Sequence, residues 1–106
     1  MPTEQYHEPV SELSQETRTF ARMMQSLIEE ADAINWYEQR MSVEKDEEAK
    51  EIMHNAQKEE FKHFSMDLEF VLRKKETFRK ILKKVLFSSG NIVKNAEKAE
   101  ESVEED

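Results

Sequence analysis

The stretch His54–Phe70, HNAQKEEFKHFSMDLEF, decides how this chain is read. Its apolar residues recur every three or four positions without a Gly or Pro, the pattern of a helix. Two stripes run along it. One is Phe61, Phe64, Leu68 and then Leu72. The other begins as Ala49, Met53 and Ala56, passes through Glu60, His63 and Asp67, and returns to Phe70. Glu60 and His63 therefore stand where apolar seam residues belong. Burying a carboxylate or an imidazolium alone is costly, so the position calls for a cation, a salt bridge or a metal.

Working outward, the residues before this stretch carry a second helix. Leu13, Phe20, Leu27, Ile34 and Met41 step by seven, with Met24 and Ala31 interleaved. That spacing predicts an amphipathic helix from Pro9 to about Met41 with a coiled-coil-like seam. Pro9 suits a first helical position, where its missing N–H costs little. Ser42–Asp46, SVEKD, is a short connection in which Ser42 or Asp46 caps the next helix. The second helix is expected from about Glu47 to Lys75. A short link between two long helices makes an antiparallel hairpin. A third, shorter helix is expected over 78–87, with Phe78, Ile81, Leu82, Val85 and Leu86 on one face and Arg79, Lys80, Lys83 and Lys84 on another. Gly90 suits its stop. The expected organisation is a polar lead-in over 1–8, a helical domain over 9–96 and an acidic, disordered tail over 97–106.

Composition agrees with an all-α chain. Of 106 residues only one is Gly and two are Pro, while 38% are charged. There is no Cys, which removes disulfides and thiolate metal sites. No apolar run is long enough to span a membrane, and MPTEQYHEPV has no apolar signal core. A net charge of −8 argues against nucleic acid as a partner. The Lys/Arg-rich residues 73–84 read as the solvated face of the third helix or as a partner for acidic surfaces, in preference to nucleic acid or anionic lipid. Hydrophobic residues make up 37%, a thin core for a monomer, so association is expected.

The Glu-x-x-His spacing occurs at Glu4/His7, Glu51/His54 and Glu60/His63. Spacing alone does not choose among them; the seam position singles out Glu60 and His63. With the hairpin turn near residue 45, Glu60 faces Glu30 on the first helix, and Tyr37 lies two turns further along. In ferritin-like di-iron bundles the ligands are a Glu from each of two helices and Glu-x-x-His from each of two others. This chain holds half of that set. A two-fold dimer of hairpins supplies the other half, because such an interface uses one patch twice. Carboxylate and imidazole donors suit iron and do little to exclude zinc, cobalt or manganese. The residues equally permit a hydrogen-bonded polar layer that sets pairing register. By the same reading Trp36 and Tyr37 pack an interface, the Met residues fill core gaps, and His7 and His54 are ordinary polar residues.

The strings EEADAINWYEQR (29–40), NAQKEEFKHFSMDLEFVLRK (55–74) and LFSSGNIVKNAE (86–97), with HEP at 7–9, resemble the encapsulated ferritin family over about residues 7–97. The resemblance implies two-helix subunits with a short third helix, paired into a four-helix bundle within a ring, typically a decamer. It implies a ferroxidase that oxidises Fe(II) to Fe(III) with O₂ or peroxide, two irons being held per subunit dimer. Glu30, Glu60 and His63 correspond to the di-iron ligands, and Tyr37 and Trp36 to the aromatic pair beside them. Glu29 and Asp32 correspond to an acidic metal-entry site, where position 32 is usually Glu. The expected setting is cytoplasmic, inside an encapsulin shell where the iron is mineralised, with no membrane or nucleic-acid partner. The family's cargo members end in a short, partly apolar targeting peptide, which ESVEED does not resemble. The alternatives are a rubrerythrin-like peroxide reductase, for which no Cys-based rubredoxin module is present, and a metal-free helical adaptor.

Overall fold

A computed structural model describes residues 5–104. Among them the order is a 3₁₀ turn Val10–Glu12, then α1 Gln15–Val43, α2 Glu47–Lys74, α3 Glu76–Val85 and α4 Ile92–Glu104. Every regular element among the described residues is helical, as expected. Two compact units divide between Val71 and Leu72, inside α2.

The first unit is the hairpin. Pro9 heads the 3₁₀ turn rather than the long helix, because Leu13 is extended and breaks the chain between the two. The cap of α1 is Ser14, whose Oγ accepts from the Thr17 N–H at 3.1 Å. Arg18 ties the turn down, its guanidinium donating to the Val10 carbonyl at 2.7 Å. At the other end α1 runs on to Val43. Ser42 therefore lies inside it and donates to the Gln39 carbonyl. Asp46 alone caps α2, accepting from the Ala49 N–H at 2.8 Å. Glu44 bridges the corner by accepting from the Lys45 and Asp46 N–H groups.

The helices of this unit are antiparallel. Gln57 reaches Ile34 and Glu38, whereas Asp67, further along α2, reaches Glu30, earlier in α1. The packing is thin. No residue of α1 is fully buried. Phe20, Leu27, Ile34 and Met41 are half-buried, Ala31 is exposed, and Leu13 lies ahead of the helix. Trp36 is 51% exposed and Phe61 47%, with Ile52 and Met66 exposed further.

The second unit corrects the expected tail. Residues 97–104, expected to be disordered, belong to α4, which packs on α3. Asn91 caps α4 by accepting from the Lys94 N–H at 2.9 Å. Ala96, Ala99 and Val103 fall on one face, and Ala99 is fully buried. On α3, Ile81, Leu82 and Val85 are half-buried, and Lys84 donates to Ser102 Oγ of α4. Acidic composition concealed that stripe. The expected third helix also shifts: it starts at Glu76 and ends at Val85, leaving Leu86 and Phe87 outside. Phe87 has φ 61° and is fully exposed.

Among the described residues no helix is long and apolar enough to cross a membrane.

Candidate metal centre

The hairpin brings Glu30 of α1 beside three residues of one α2 face. His63 is three residues after Glu60 and Asp67 is four after His63, so each stands about one turn from the next. His63 Nδ1 lies 3.3 Å from Glu60 Oε1, a hydrogen bond within one helix. The Glu60 side chain is 22% exposed and that of His63 44%. The Asp67 carboxyl is in hydrogen-bond reach of the Glu30 carboxyl. Glu30 Oε2 is enclosed and has no hydrogen-bond partner among the described residues.

Electrostatics follow from that crowding. Glu30 is pushed up from its ordinary value of 4.5 to about 7. Burial is the largest cause, followed by the hydrogen bond with Asp67 and the negative charges of Asp67 and Glu60, while His63 pulls the other way. Three carboxyls and one imidazole lie within electrostatic reach of one another here.

The donor chemistry fits a divalent cation: oxygen donors, one ring nitrogen, and an enclosed carboxyl oxygen lacking a donor. Among the described residues no group of three or more His, Asp or Glu side chains closes on a point that holds a metal ion.

The helices fix this face through Gln57. It is buried, and its side-chain amide donates to the Ile34 carbonyl at 3.1 Å and to Glu38 Oε1 at 3.0 Å. On α2 this bond lies one turn before Glu60, and on α1 one turn after Glu30.

Glu30, Glu60 and His63 are thus brought together. Glu29 and Asp32 are exposed on α1, one turn apart. Tyr37 lies two turns beyond Glu30 with the Arg40 guanidinium 5.3 Å from its ring centre. Glu51 and His54 are exposed and line a shallow cavity of about 410 Å³ with Met41, Glu47 and Lys50. His7 is exposed, and Glu4 lies outside the described residues. Sequence reasoning placed Asp67 on the seam without giving it a role, and passed over Gln57. The helical spacing of Asp67 from His63 is the signal that pointed to it.

Comparison with known proteins agrees with the helical layout. The EncFtn-like family matches residues 5–89. The chain is 40% identical over 89 residues to a "Ferritin-like protein" of Thermotoga maritima, covering 84% of this chain and 78% of that one. It is 35% identical over 86 residues to an "Encapsulated ferritin-like protein" of Rhodospirillum rubrum, covering 81% of this chain and 61% of that one. In structure it is similar to protein ne0167 from Nitrosomonas europaea, with a TM-score of 0.81 and 42% identity over 84% of this chain and 98% of that one. An all-α hairpin with this seam, matched over this length, places the chain in the EncFtn-like family.

Proposed function

We propose that this chain is a ferroxidase of the encapsulated-ferritin kind. Its substrate is Fe(II), which it oxidises to Fe(III) for mineral storage inside an encapsulin shell in the cytoplasm. The observation that carries the reading is the enclosed Glu30 Oε2, without a hydrogen-bond partner among the described residues, beside Glu60 and His63. A buried acceptor left unpaired costs about 1–3 kcal/mol. A bound cation removes that cost. The names carried by the relatives, ferritin-like and encapsulated ferritin-like, support the iron chemistry and the shell.

One chain supplies half a ligand set, so the working unit is a two-fold dimer with Glu30, Glu60 and His63 from both subunits around two iron ions. The apolar side chains left exposed, Trp36 and Phe61 among them, support association. Dimers then assemble into a ring, a decamer. Each Fe(II) gives one electron to O₂ or peroxide, which takes up protons and leaves as peroxide or water. Glu30 and Glu60 would hold the iron through carboxylate oxygens and offset the charge that rises on oxidation, and His63 would add a ring nitrogen. Tyr37 and Trp36 border the centre. Glu29 and Asp32 gather Fe(II) on the approach. Zinc, cobalt and manganese compete for the same donors.

The test is Fe(II) oxidation together with native mass, with and without metal, for wild type, Glu60→Ala and His63→Ala. Both variants are expected to lose at least about tenfold in metal affinity, with oxidation falling alongside. Undiminished oxidation in both variants sinks the site. A wild type that binds no iron leaves a metal-free helical adaptor. Activity that persists in an enforced monomer refutes the shared centre.

A further inference from the structure

Asp67 stands on the same α2 face as Glu60 and His63, half-buried, one turn past the imidazole. Its carboxyl is in hydrogen-bond reach of Glu30 across the hairpin. Two carboxylates at that separation repel once both are ionised, unless a proton is shared or a cation lies between them. The nearest other charges include the Glu60 carboxylate, which adds to the repulsion, and His63, which offsets it. His63 is itself engaged with Glu60 Oε1. The pair thus offers two oxygens of like charge from two helices, and next to them the enclosed Glu30 Oε2 without a donor. Paired carboxylates with spare acceptor capacity are a site for a hard or borderline divalent cation.

We infer that Asp67 is a further metal-ligating side chain, which binds a divalent cation together with Glu30 across the α1/α2 seam. This inference rests on the reading of Glu30, Glu60 and His63 as a metal half-site and adds a fourth donor per chain. Asp67 is more than a brace for Glu30. A brace needs only a hydrogen bond, whereas a carboxylate ligand also contributes its negative charge to a divalent cation.

That difference defines the test. The full chain is titrated calorimetrically with Co(II), with bound metal per chain counted by native mass spectrometry. Wild type is compared with Asp67→Asn, Asp67→Ala and Glu60→Ala. Asparagine keeps a hydrogen-bond partner for Glu30 and loses the anionic oxygen. Both Asp67 variants are expected to bind Co(II) at least about tenfold more weakly, with unchanged helical circular dichroism. Wild-type affinity in Asp67→Asn overturns the inference, because positioning alone then suffices. Wild-type affinity in Asp67→Ala overturns it as well, because Asp67 then contributes nothing. In either case the half-site reading stands if Glu60→Ala still loses the metal. Absence of Co(II) binding in wild type overturns both.

Discussion

Gln57 on α2 donates its side-chain amide to the main-chain carbonyl of Ile34 on α1 at 3.1 Å. The same amide reaches Glu38 Oε1 at 3.0 Å, and the residue is 5% exposed. One buried polar group therefore locks the register of a hairpin that has little else buried. Because the bond sits one turn from both Glu30 and Glu60, a slip of the hairpin separates the proposed ligands before it unfolds either helix. Gln57→Ala is expected to cost about 1–2 kcal/mol through the lost hydrogen bonds and packing. Gln57→Glu costs more, because it confines a second carboxylate beside Glu38. Urea unfolding of the metal-free chain, at one fixed protein concentration, measures both. A Glu variant as stable as the Ala variant contradicts the assignment.

The raised Glu30 carboxyl makes the metal-free hairpin sensitive to pH. Its folded value, about 7, lies above its ordinary 4.5. Between those values the folded chain holds a proton that the unfolded chain has lost, so this group's contribution falls as pH rises through that window. Stability from Glu30 is complete below about 4.5 and gone above about 7. Glu30→Gln removes the titrating group and should flatten that part of the profile. The check is the unfolding midpoint from pH 4.5 to 7.5 for the two chains at low ionic strength. Equal slopes reject the role given to Glu30.

The same proton competes with metal. A cation at Glu30 displaces it, so divalent-ion affinity should rise with pH up to about 7 and level off above. Co(II) titrations in two buffers of different ionisation enthalpy count the protons released. At pH 6 wild type should release a proton from Glu30 that Glu30→Gln does not. If the two chains release equal numbers, Glu30 is not the group displaced.

The hairpin was legible in the sequence because a seven-residue repeat and a short polar link leave few other ways to bury Leu27, Ile34 and Met53. Glu30 opposite Glu60 followed from the turn position alone. Asp67 and Gln57 escaped for a different reason. Gln57 looks like an ordinary polar residue and Asp67 like one more carboxylate on the seam, and spacing fixes a residue's face without fixing which group meets it across a seam. Pro9 misled because a 3₁₀ turn and an α-helix both accept proline at their start, and only the extended Leu13 separates them. The acidic end misled because charge was weighed above the Ala96/Ala99/Val103 stripe on one face of α4. The second half of the proposed metal site is beyond one chain's sequence or structure, since the proposal draws it from another subunit.

Exposed Glu29 and Asp32, one turn apart on α1, give a prediction about rate rather than binding. If they gather Fe(II), Glu29→Ala/Asp32→Ala should slow initial oxidation several-fold at low salt while leaving the number of tightly bound ions unchanged. The deficit should shrink as salt is raised, because at about 0.15 M the Debye length is only about 8 Å. Stopped-flow oxidation at two ionic strengths reads both effects. A deficit independent of salt assigns the residues to the centre itself.

Phe87 supplies a prediction for the α3/α4 unit. Its φ of 61° lies in the left-handed region, which costs a non-glycine residue about 1–2 kcal/mol, and its side chain is fully exposed. Nothing in the sequence around it demands this, since Gly90, three residues on, already supplies a permissive position with φ 88°. Replacing Phe87 with Gly removes the backbone penalty and gives up no packing within the chain, at the cost of greater freedom when unfolded. Thermal unfolding at fixed protein concentration should therefore show Phe87→Gly to be more stable than wild type by roughly 0.5–1 kcal/mol. Loss of stability instead, growing with protein concentration in the wild type, assigns Phe87 to a contact between subunits.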